Sequence, residues 1–183
     1  TVSLVVTAVN DAPTGGADAY SAGEGTTVVR GTVLVNDTDV ESSPLSVLQV
    51  ATSGASAAVP VNGTNAIATA LGGSVVMNTD GTFTYPAPAR NHADAVADPD
   101  SFVYRSSDGT DVSAWVTVTI ALTDTNPVAN PDTDDVGRNG TTTGNVILGT
   151  GGATADTVLA DTVSVSAVSF GGTPGTFNAG TQA

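Results

Sequence analysis

Short runs of β-branched residues, separated by turn-forming residues, extend along most of this sequence and restrict the folds open to it. Within residues 113–122, Trp115 and Thr117 alternate with Val116 and Val118, which is the period of a strand with one buried face. Glycine, aspartate, asparagine and proline separate such runs. With two glutamates and no lysine, the chain has little material for amphipathic helices. We therefore predict an all-β, Greek-key sandwich fold.

The same pattern predicts individual strands and turns. The predicted strands are residues 2–9, 17–21, 26–35, 45–51, 74–78, 82–85, 101–106 and 113–122. The pairs Asp80-Gly81 and Asp108-Gly109 predict tight turns. Residues 53–70 are predicted to form a loop with at most one weak strand. The aromatic residues of the predicted strands are assigned to the core: Tyr85, Phe102, Tyr104 and Trp115.

Charge and cysteine content exclude several classes of function. The 183 residues include eighteen acidic and four basic ones, so the formal net charge is −14. Such a chain repels nucleic acid and anionic membranes, and it attracts cations. The absence of cysteine excludes disulfides, thiol catalysis and cysteine-based metal sites. No apolar run reaches the length of a membrane span, and residues 1–10 lack the basic start and cleavage site of a signal peptide.

Internal repetition indicates how the chain is divided into domains. GTVLVN at residues 31–36 recurs as GNVILG at 144–149, and LSVLQV at 45–50 recurs as VSVSAV at 163–168. This spacing is the size of one sandwich domain, about 100 residues. We predict one complete repeat at residues 10–125 and the first part of a following repeat at residues 126–183. Residues 1–9 are predicted to be the last strand of a preceding repeat, or a strand donated to a neighbour.

A cluster of oxygen ligands follows the apolar run Thr32 to Val35. Asp37, Asp39 and Glu41 alternate there, which would place three carboxylates on one side of an extended segment. Carboxylates so close together repel one another unless a cation lies among them. Oxygen ligands without histidine or cysteine favour calcium over zinc or copper. The residues themselves favour calcium only slightly over a solvated acidic turn, and their spacing does not fit an EF-hand.

Residues that could carry catalysis are few, so the chain is predicted not to be an enzyme. The single histidine, His92, lies in a polar stretch, and no Gly-x-Ser-x-Gly motif is present. The paired acids Asp98/Asp100 and Asp134/Asp135 could serve a glycosidase. Aromatic residues, which form sugar platforms, make up only 4% of the chain.

An ordered series of short motifs resembles a known family. The series includes NDAP at residues 10–13, VLVNDTD at 33–39, DGTFTY at 80–85, SDG at 107–109 and VTVTI at 116–120. It is similar to the cadherin-like repeats, of the VCBS and tandem-95 types, found in very large bacterial surface adhesins, many of them exported with RTX proteins. The resemblance spans one full repeat. It implies Ig-like β-sandwiches joined end to end, which extend the protein or adhere to a surface.

The resemblance also implies calcium at the domain junctions, where it stiffens the rod. Carried over to this sequence, it implies Ca²⁺ ligands at Asn10 and Asp11 in the linker and at Glu24 at the domain base. It also implies ligands at Asp37 and Asp39 in the loop after the apolar run, with Asp18 and Asp108 as additions. It implies a secreted or cell-surface protein that takes part in adhesion or biofilm formation. The expected partners are neighbouring repeats or identical subunits and a cell-surface or carbohydrate target, without nucleic acid or membrane insertion.

The second repeat departs from this pattern, and other functions remain open. GTGGAT at residues 149–154 stands where NDTD is expected to recur, and the counterpart of Glu24 falls near Arg138, so no full calcium site is predicted there. The main alternative is a subunit of an extracellular filament or surface layer, in which residues 1–9 complete a neighbouring sandwich. A further alternative is a ligand-binding accessory module of a secreted enzyme.

Overall fold

The chain forms two compact units that are built almost entirely from β-structure. The structure, a computed structural model, describes residues 2–5, 7, 9–41, 43–90, 99–124, 126–133, 138, 144–150, 154–158, 163–165, 169–170 and 173–174. The first unit comprises the described residues of 1–88 and 97–123, and the second those of 89–96 and 124–183. These ranges contain no α-helix, and thus none that could cross a membrane. The all-β prediction is confirmed.

The described residues of the first unit form nine strands and one short 3₁₀ helix. In chain order its strands are β1 (Asp18–Gly23), β2 (Thr27–Arg30), β3 (Ser46–Ala51), β4 (Val59–Pro60), β5 (Ala66–Ala68), β6 (Ser74–Met77), β7 (Phe83–Pro86), β8 (Pro99–Ser107) and β9 (Val116–Thr123). The 3₁₀ helix spans Val33–Asn36 between β2 and β3.

These strands form the two sheets of a sandwich. One sheet has the order β1-β9-β8-β3-β4, and the other has the order β2-β7-β6-β5. Every pair is antiparallel except β1 with β9, where Asp18 lies opposite Val118 and Gly23 opposite Thr123. Since a strand rises about 3.3 Å per residue, the two ends of β1 are roughly 17 Å apart. Residues 18 and 24 therefore belong to opposite ends of this unit.

Alternating side chains of both sheets fill the core. In β9 the valines at 116 and 118 are buried, whereas Thr117 between them is exposed, as the alternation predicted. Phe83 packs edge-to-face on Phe102 with ring centroids 5.5 Å apart. Such ring pairs add to the free energy gained by burying apolar surface. The predicted core positions of Tyr85, Phe102 and Tyr104 are confirmed, since each is fully buried.

The carboxylate of Asp100 lies inside this core, and each of its two oxygens accepts two hydrogen bonds. Its Oδ2 accepts from the hydroxyls of Thr69 at 2.5 Å and Tyr85 at 2.6 Å. Its Oδ1 accepts from the backbone N–H groups of Leu71 and Ser101, both at 2.8 Å. These bonds join the loop after β5 to β7 and β8. Burial and the nearby carboxylate raise the pKa of Tyr85 above its usual range, so its phenol remains a donor.

Both predicted turns occur. Asn78 and Thr82 close the β6–β7 hairpin, and Gly81 within it has a φ of 81°, which glycine adopts without strain. Gly109 has a φ of 97° in the turn that follows β8. Aspartate followed by glycine is therefore a reliable turn signal at both positions.

Several strand predictions are wrong for the described residues. Residues 26–35 do not form one strand, because Thr32 Oγ1 caps the 3₁₀ helix by accepting from Leu34 N–H. Residues 53–70 contain two strands, β4 and β5. The described residues of 2–9 lie in no strand, and Val2 is 99% exposed. A strand requires a hydrogen-bonded neighbour, so their role in another repeat stays a prediction.

The core position predicted for Trp115 is also wrong. This side chain is only partly buried and lies just before β9. The guanidinium carbon of Arg105 lies 5.4 Å from the centroid of its ring, a cation–π distance. In the loop after β3, a Cβ built on Gly54 would lie 3.2 Å from the Cδ1 atom of Trp115. Trp115 therefore packs under surface residues of the five-stranded sheet.

For the second unit, the structure describes isolated bridges and one short hairpin. Val128 pairs with Thr157 and Asn145 pairs with Thr150, both as antiparallel bridges. A short hairpin joins β10 (Ser169–Phe170) to β11 (Thr173–Pro174).

Candidate functional site

Three segments meet at one end of the first unit, and together they form what we call the acidic end: residues 10–18, 36–41 and 107–113. Thr14 and Thr38 exchange two backbone hydrogen bonds of 2.8 and 2.9 Å, which align the first two segments. The side-chain amide of Asn10 donates to the third segment, at Asp108 and Asp111. Six of the seven predicted ligands belong to this end: Asn10, Asp11, Asp18, Asp37, Asp39 and Asp108.

Asp37 occupies the innermost position of the acidic end. Its Oδ1 accepts from Gly16 N–H at 2.9 Å and from the Tyr104 hydroxyl at 2.8 Å. The same hydroxyl lies 3.1 Å from the carbonyl oxygen of Val33. Burial raises the pKa of Tyr104, and the carboxylates of Asp37 and Asp18 raise it further. Tyr104, which β8 supplies from the core, thus remains a hydrogen-bond donor to this site.

Asp18, the first residue of β1, lies close enough to Asp37 for the two charges to interact. Partial burial raises the pKa of Asp18 to about 6, and repulsion by Asp37 adds to this effect. A hydrogen bond with Tyr104 offsets part of this rise in the pKa of Asp18. The two carboxylates are therefore held together at a cost in free energy whenever both are ionised. A bound cation would remove that cost.

Three carboxylate oxygens at this end are buried without a hydrogen-bond partner: Oδ2 of Asp18, Oδ2 of Asp37 and Oδ2 of Asp39. The other oxygen of Asp39 accepts from Ser43 N–H at 3.0 Å. Buried polar atoms are normally hydrogen-bonded, so three exceptions in one place require an explanation. Within the described ranges, however, no three His, Cys, Asp or Glu side chains are already arranged around a single metal position.

An outer layer of polar groups surrounds these three aspartates. Asp11 N–H donates to Glu41 at 3.3 Å, and Asn10 donates to Asp108 and Asp111 at 2.8 Å each. Hydrogen bonds from backbone N–H groups of the turn after β8 lower the pKa of Asp108, and the hydrogen bond from the Asn10 amide lowers it further. Sequence reasoning did not assign Asp111 to the site. The only available signal was a second acid shortly after the Asp108-Gly109 turn.

The seventh predicted ligand, Glu24, lies at the opposite end of this unit. It directly follows β1, and its backbone N–H donates to the carbonyl of Thr123 at 3.1 Å. The side chain is only 1% exposed. The predicted ligand set is therefore divided between two ends, and Glu24 is next to the chain segment that leads out of β9.

The second unit contains a counterpart of Asp37 that sequence alignment had placed incorrectly. Asn130 N–H donates to Asp156 Oδ1 at 2.7 Å, just as Gly16 N–H donates to Asp37. The bridge between Val128 and Thr157 likewise corresponds to the bridge between Thr14 and Thr38. The prediction that GTGGAT replaces the NDTD motif is therefore wrong. Those residues belong to an insertion, and the aspartate follows it.

Asp132 follows Pro127 by five residues, just as Asp18 follows Pro13, so it is the counterpart of Asp18 in the sequence of the second unit. Its Oδ1 accepts from Thr154 N–H at 2.6 Å. Asp132 and Asp156 both line a cavity of about 460 Å³, which also has apolar walls. Two aspartates of the second unit therefore line one cavity, whereas the position equivalent to Asp39 is taken by Val158.

Comparison with known proteins gives one family match. A family model described as a bacterial cadherin-like domain matches residues 10–124. No curated protein matches the chain.

Two solved structures show a distant likeness. One is a nucleoside hydrolase-related hypothetical protein from Saccharophagus degradans that is associated with carbohydrate metabolism, with a TM-score of 0.36 and 14% identity. The other is an endo-fucoidan hydrolase from glycoside hydrolase family 107, with a TM-score of 0.33 and 16% identity. The aligned regions cover 62% and 67% of this chain but only 26% and 14% of those chains. At these TM-scores the likeness carries no argument about function.

Proposed function

The chain belongs to the bacterial cadherin-like domain family, and from this premise we propose that it is a structural and adhesive repeat stiffened by Ca²⁺. Domains of this family are generally non-enzymatic, are typically extracellular and commonly bind calcium. The protein would accordingly act at the cell surface or after secretion, as a spacer or adhesive module. Its partners would be neighbouring repeats and a cell-surface or carbohydrate target.

The observation that supports this proposal is the group of buried, unpartnered oxygens of Asp18, Asp37 and Asp39. Leaving a polar oxygen buried without a partner costs free energy. Calcium is the cation that fits these ligands, since it binds six to eight oxygens in flexible geometry. In a chain with a net charge of −14, a divalent cation also relieves general repulsion.

The position of the acidic end explains how calcium binding would stiffen a tandem array. Asn10 and Asp11 come from the segment that enters the repeat, whereas Asp37 and Asp39 come from the body of the sandwich. A cation shared between the two would restrict how the entering segment can turn. Glu24 lies at the opposite end and would belong to a separate calcium site.

Calcium-dependent stability tests this proposal directly. Melting temperature is measured with calcium and with chelator for the wild type, Asp39→Asn and Asp80→Asn. At a calcium concentration of 100 times the dissociation constant, binding to the native state adds about 2.7 kcal/mol. Asp39→Asn should lose most of this gain. Asp80→Asn is the matched control, because the Asp80 carboxylate is exposed and already accepts from Thr82.

Either of two results would contradict the proposal. One is a melting temperature of the wild type that does not respond to calcium. The other is an equal loss of response in both variants, which would indicate a nonspecific effect of charge. Calorimetric titration of Glu24→Gln with calcium then shows whether the two ends bind calcium as separate classes of site.

A further inference from the structure

The connection between β4 and β5 holds the side chain of Asn62 through its oxygen alone. Asn62 Oδ1 accepts from the N–H and the hydroxyl of Thr64, both at 2.9 Å, and from Asn65 N–H at 2.8 Å. Because a backbone N–H needs an acceptor, these contacts fix which end of the side-chain amide is the oxygen. The side chain is exposed, and no described residue accepts a hydrogen bond from its Nδ2. The amide nitrogen therefore faces solvent with both protons available.

The neighbouring hairpin keeps this turn in place. Gly63 N–H donates to the carbonyl of Met77 at 3.0 Å. Gly63 has a φ of 74°, and a Cβ at this position would lie 2.6 Å from Asn78 Oδ1. Glycine is therefore required there. The geometry around Asn62 follows from the sandwich as well as from the local sequence.

Three donors on one amide oxygen change the chemistry of the amide nitrogen. A carboxamide nitrogen is a poor nucleophile, because its lone pair is delocalised into the carbonyl. Loss of one Nδ2 proton gives an imidate, whose negative charge lies largely on the oxygen. Donors held about 2.7–3.1 Å from a developing oxyanion stabilise it. The turn thus favours the form of Asn62 that can attack an electrophilic carbon.

We propose that Asn62 is a site of N-linked glycosylation, with a phosphate-activated sugar as the donor. Residues 62–64 match the acceptor motif Asn-x-Ser/Thr, in which x is not proline. A base of the transferase removes one Nδ2 proton, and Nδ2 forms a bond to the anomeric carbon of the sugar. The bond from that carbon to the phosphate oxygen breaks, and the phosphate leaves with its electron pair. A sugar nucleotide and a lipid-linked sugar share this chemistry.

A second copy of the motif begins at Asn36 and lacks these features. The amide nitrogen is in use, since Asn36 Nδ2 donates to the carbonyl of Ala17 at 3.1 Å. A Cβ on Gly16 would lie 2.9 Å from this nitrogen, so the side chain packs closely against the backbone. Thr38 N–H donates to a backbone carbonyl instead of to Asn36 Oδ1. The fold therefore presents Asn62 and withholds Asn36, although both residues are exposed.

A glycan on Asn62 would lie beside open edges of both sheets. Among the described strands, β4 is at one edge of the five-stranded sheet and β5 is at one edge of the four-stranded sheet. Asn62 lies in the connection between these two strands. Uncovered edge strands can pair with other chains, and a hydrophilic glycan would prevent this. Neither the modification nor this role depends on calcium, so the inference can fail or succeed independently of the proposed function.

Glycosylation of the folded chain in vitro tests the inference. In one arm the full chain is incubated with a soluble transferase that recognises the motif and a nucleotide-activated hexose. The other arm uses a membrane-bound transferase and a lipid-linked sugar. Every protein carries Asn139→Gln, which removes the third copy of the motif. Intact mass and peptide mapping measure the rate at each asparagine, and the arm that gives product identifies the donor.

The expected result depends on the fold and not on the motif alone. In the folded chain Asn62 should react about ten-fold or more faster than Asn36, since donors to a developing oxyanion have effects of at least that size. Synthetic peptides that carry the two motifs should react at similar rates. Gly63→Ala retains the motif but opposes the turn, so it should slow the reaction in the folded chain and not in the peptide. A thermal melt checks that this variant is folded.

Three results would overturn the inference. The first is a folded chain in which Asn62 stays unmodified in both arms. The second is an equal rate at Asn62 and Asn36 in the folded chain, which would mean that the hydrogen bonds to Oδ1 have no effect. The third is a Gly63→Ala chain that reacts as fast as the wild type.

Discussion

Replacing Asp18 by asparagine should stabilise the protein in the absence of calcium and weaken its response to calcium. In chelator at pH 7.5 Asp18 is ionised although burial, and then the nearby Asp37 carboxylate, raise its pKa, so its charge raises the free energy of the folded state. Asparagine keeps the shape of the side chain and removes one of the two charges. With calcium present, the same change removes a ligand. One substitution thus changes stability in opposite directions under two conditions.

The size of the effect follows from the pKa of Asp18. Folding raises it from an ordinary value of 3.8 to about 6. At 1.36 kcal/mol per pH unit, this difference sets an upper limit of about 3 kcal/mol. Water screens a partly exposed group, so we expect a gain of about 1–2 kcal/mol for Asp18→Asn.

The dependence on pH has a definite sign. Between pH 3.8 and about 6 the folded state binds the Asp18 proton more tightly than the unfolded state does. In chelator, this residue therefore makes the wild type less stable as the pH rises through that window. Asp18→Asn lacks this decline, so the two proteins should have equal stability below about pH 4, separate between about pH 4 and 6, and keep a constant difference above about pH 6.

Urea unfolding followed by tryptophan fluorescence measures this difference for the first unit, because the single tryptophan, Trp115, lies there. Asp80→Asn serves as the control, since hydrogen bonds from Thr82 lower the pKa of Asp80 and its removal should not stabilise the protein. If Asp18→Asn is no more stable than the wild type at pH 7.5 in chelator, the proposed repulsion at the acidic end is wrong.

Three further substitutions test the structure around the site. Asp100→Ala leaves four donors without an acceptor and should cost about 3–5 kcal/mol in urea unfolding, and a cost below about 1 kcal/mol would contradict the buried network. Tyr104→Phe removes the hydroxyl donor to Asp37 and should cost about 1–2 kcal/mol in the same assay, with a smaller cost when calcium is bound. Gly15→Ala should cost about 1–3 kcal/mol, because the new methyl would lie 2.1 Å from a methyl of Val116. An unchanged melting temperature would refute this prediction.

Much of the fold could be predicted from local sequence. The alternation around Val116 and Val118 identified β9 and its buried face, and Asp80-Gly81 and Asp108-Gly109 marked two turns. Period-two alternation and positive-φ turns depend on neighbouring residues alone, which is why a single sequence reveals them. The run ending at Val35 was predicted as strand and is a 3₁₀ helix, because a side-chain cap and a contact with Gly81 override its β-branched composition.

The site was less predictable, because it depends on which strands lie side by side. Asp18 and Glu24 are close in sequence, yet β1 runs the length of the sandwich and places them at opposite ends. Asp156 takes the structural position of Asp37 although an insertion displaces it in sequence, and the equivalence appears in the hydrogen bond from Asn130 and in the bridge between Val128 and Thr157.

The sequence by itself determined the β-structure, the repeat and the acidic composition, because these follow from periodicity and residue type. The tertiary structure decided that the hydroxyl of Tyr104 reaches Asp37, that three aspartates bury an oxygen at one end, and that Asp100 lies in the core. Such contacts join residues that are distant in the chain. Their free energies depend on burial and on the geometry between strands, which no local pattern of residues specifies.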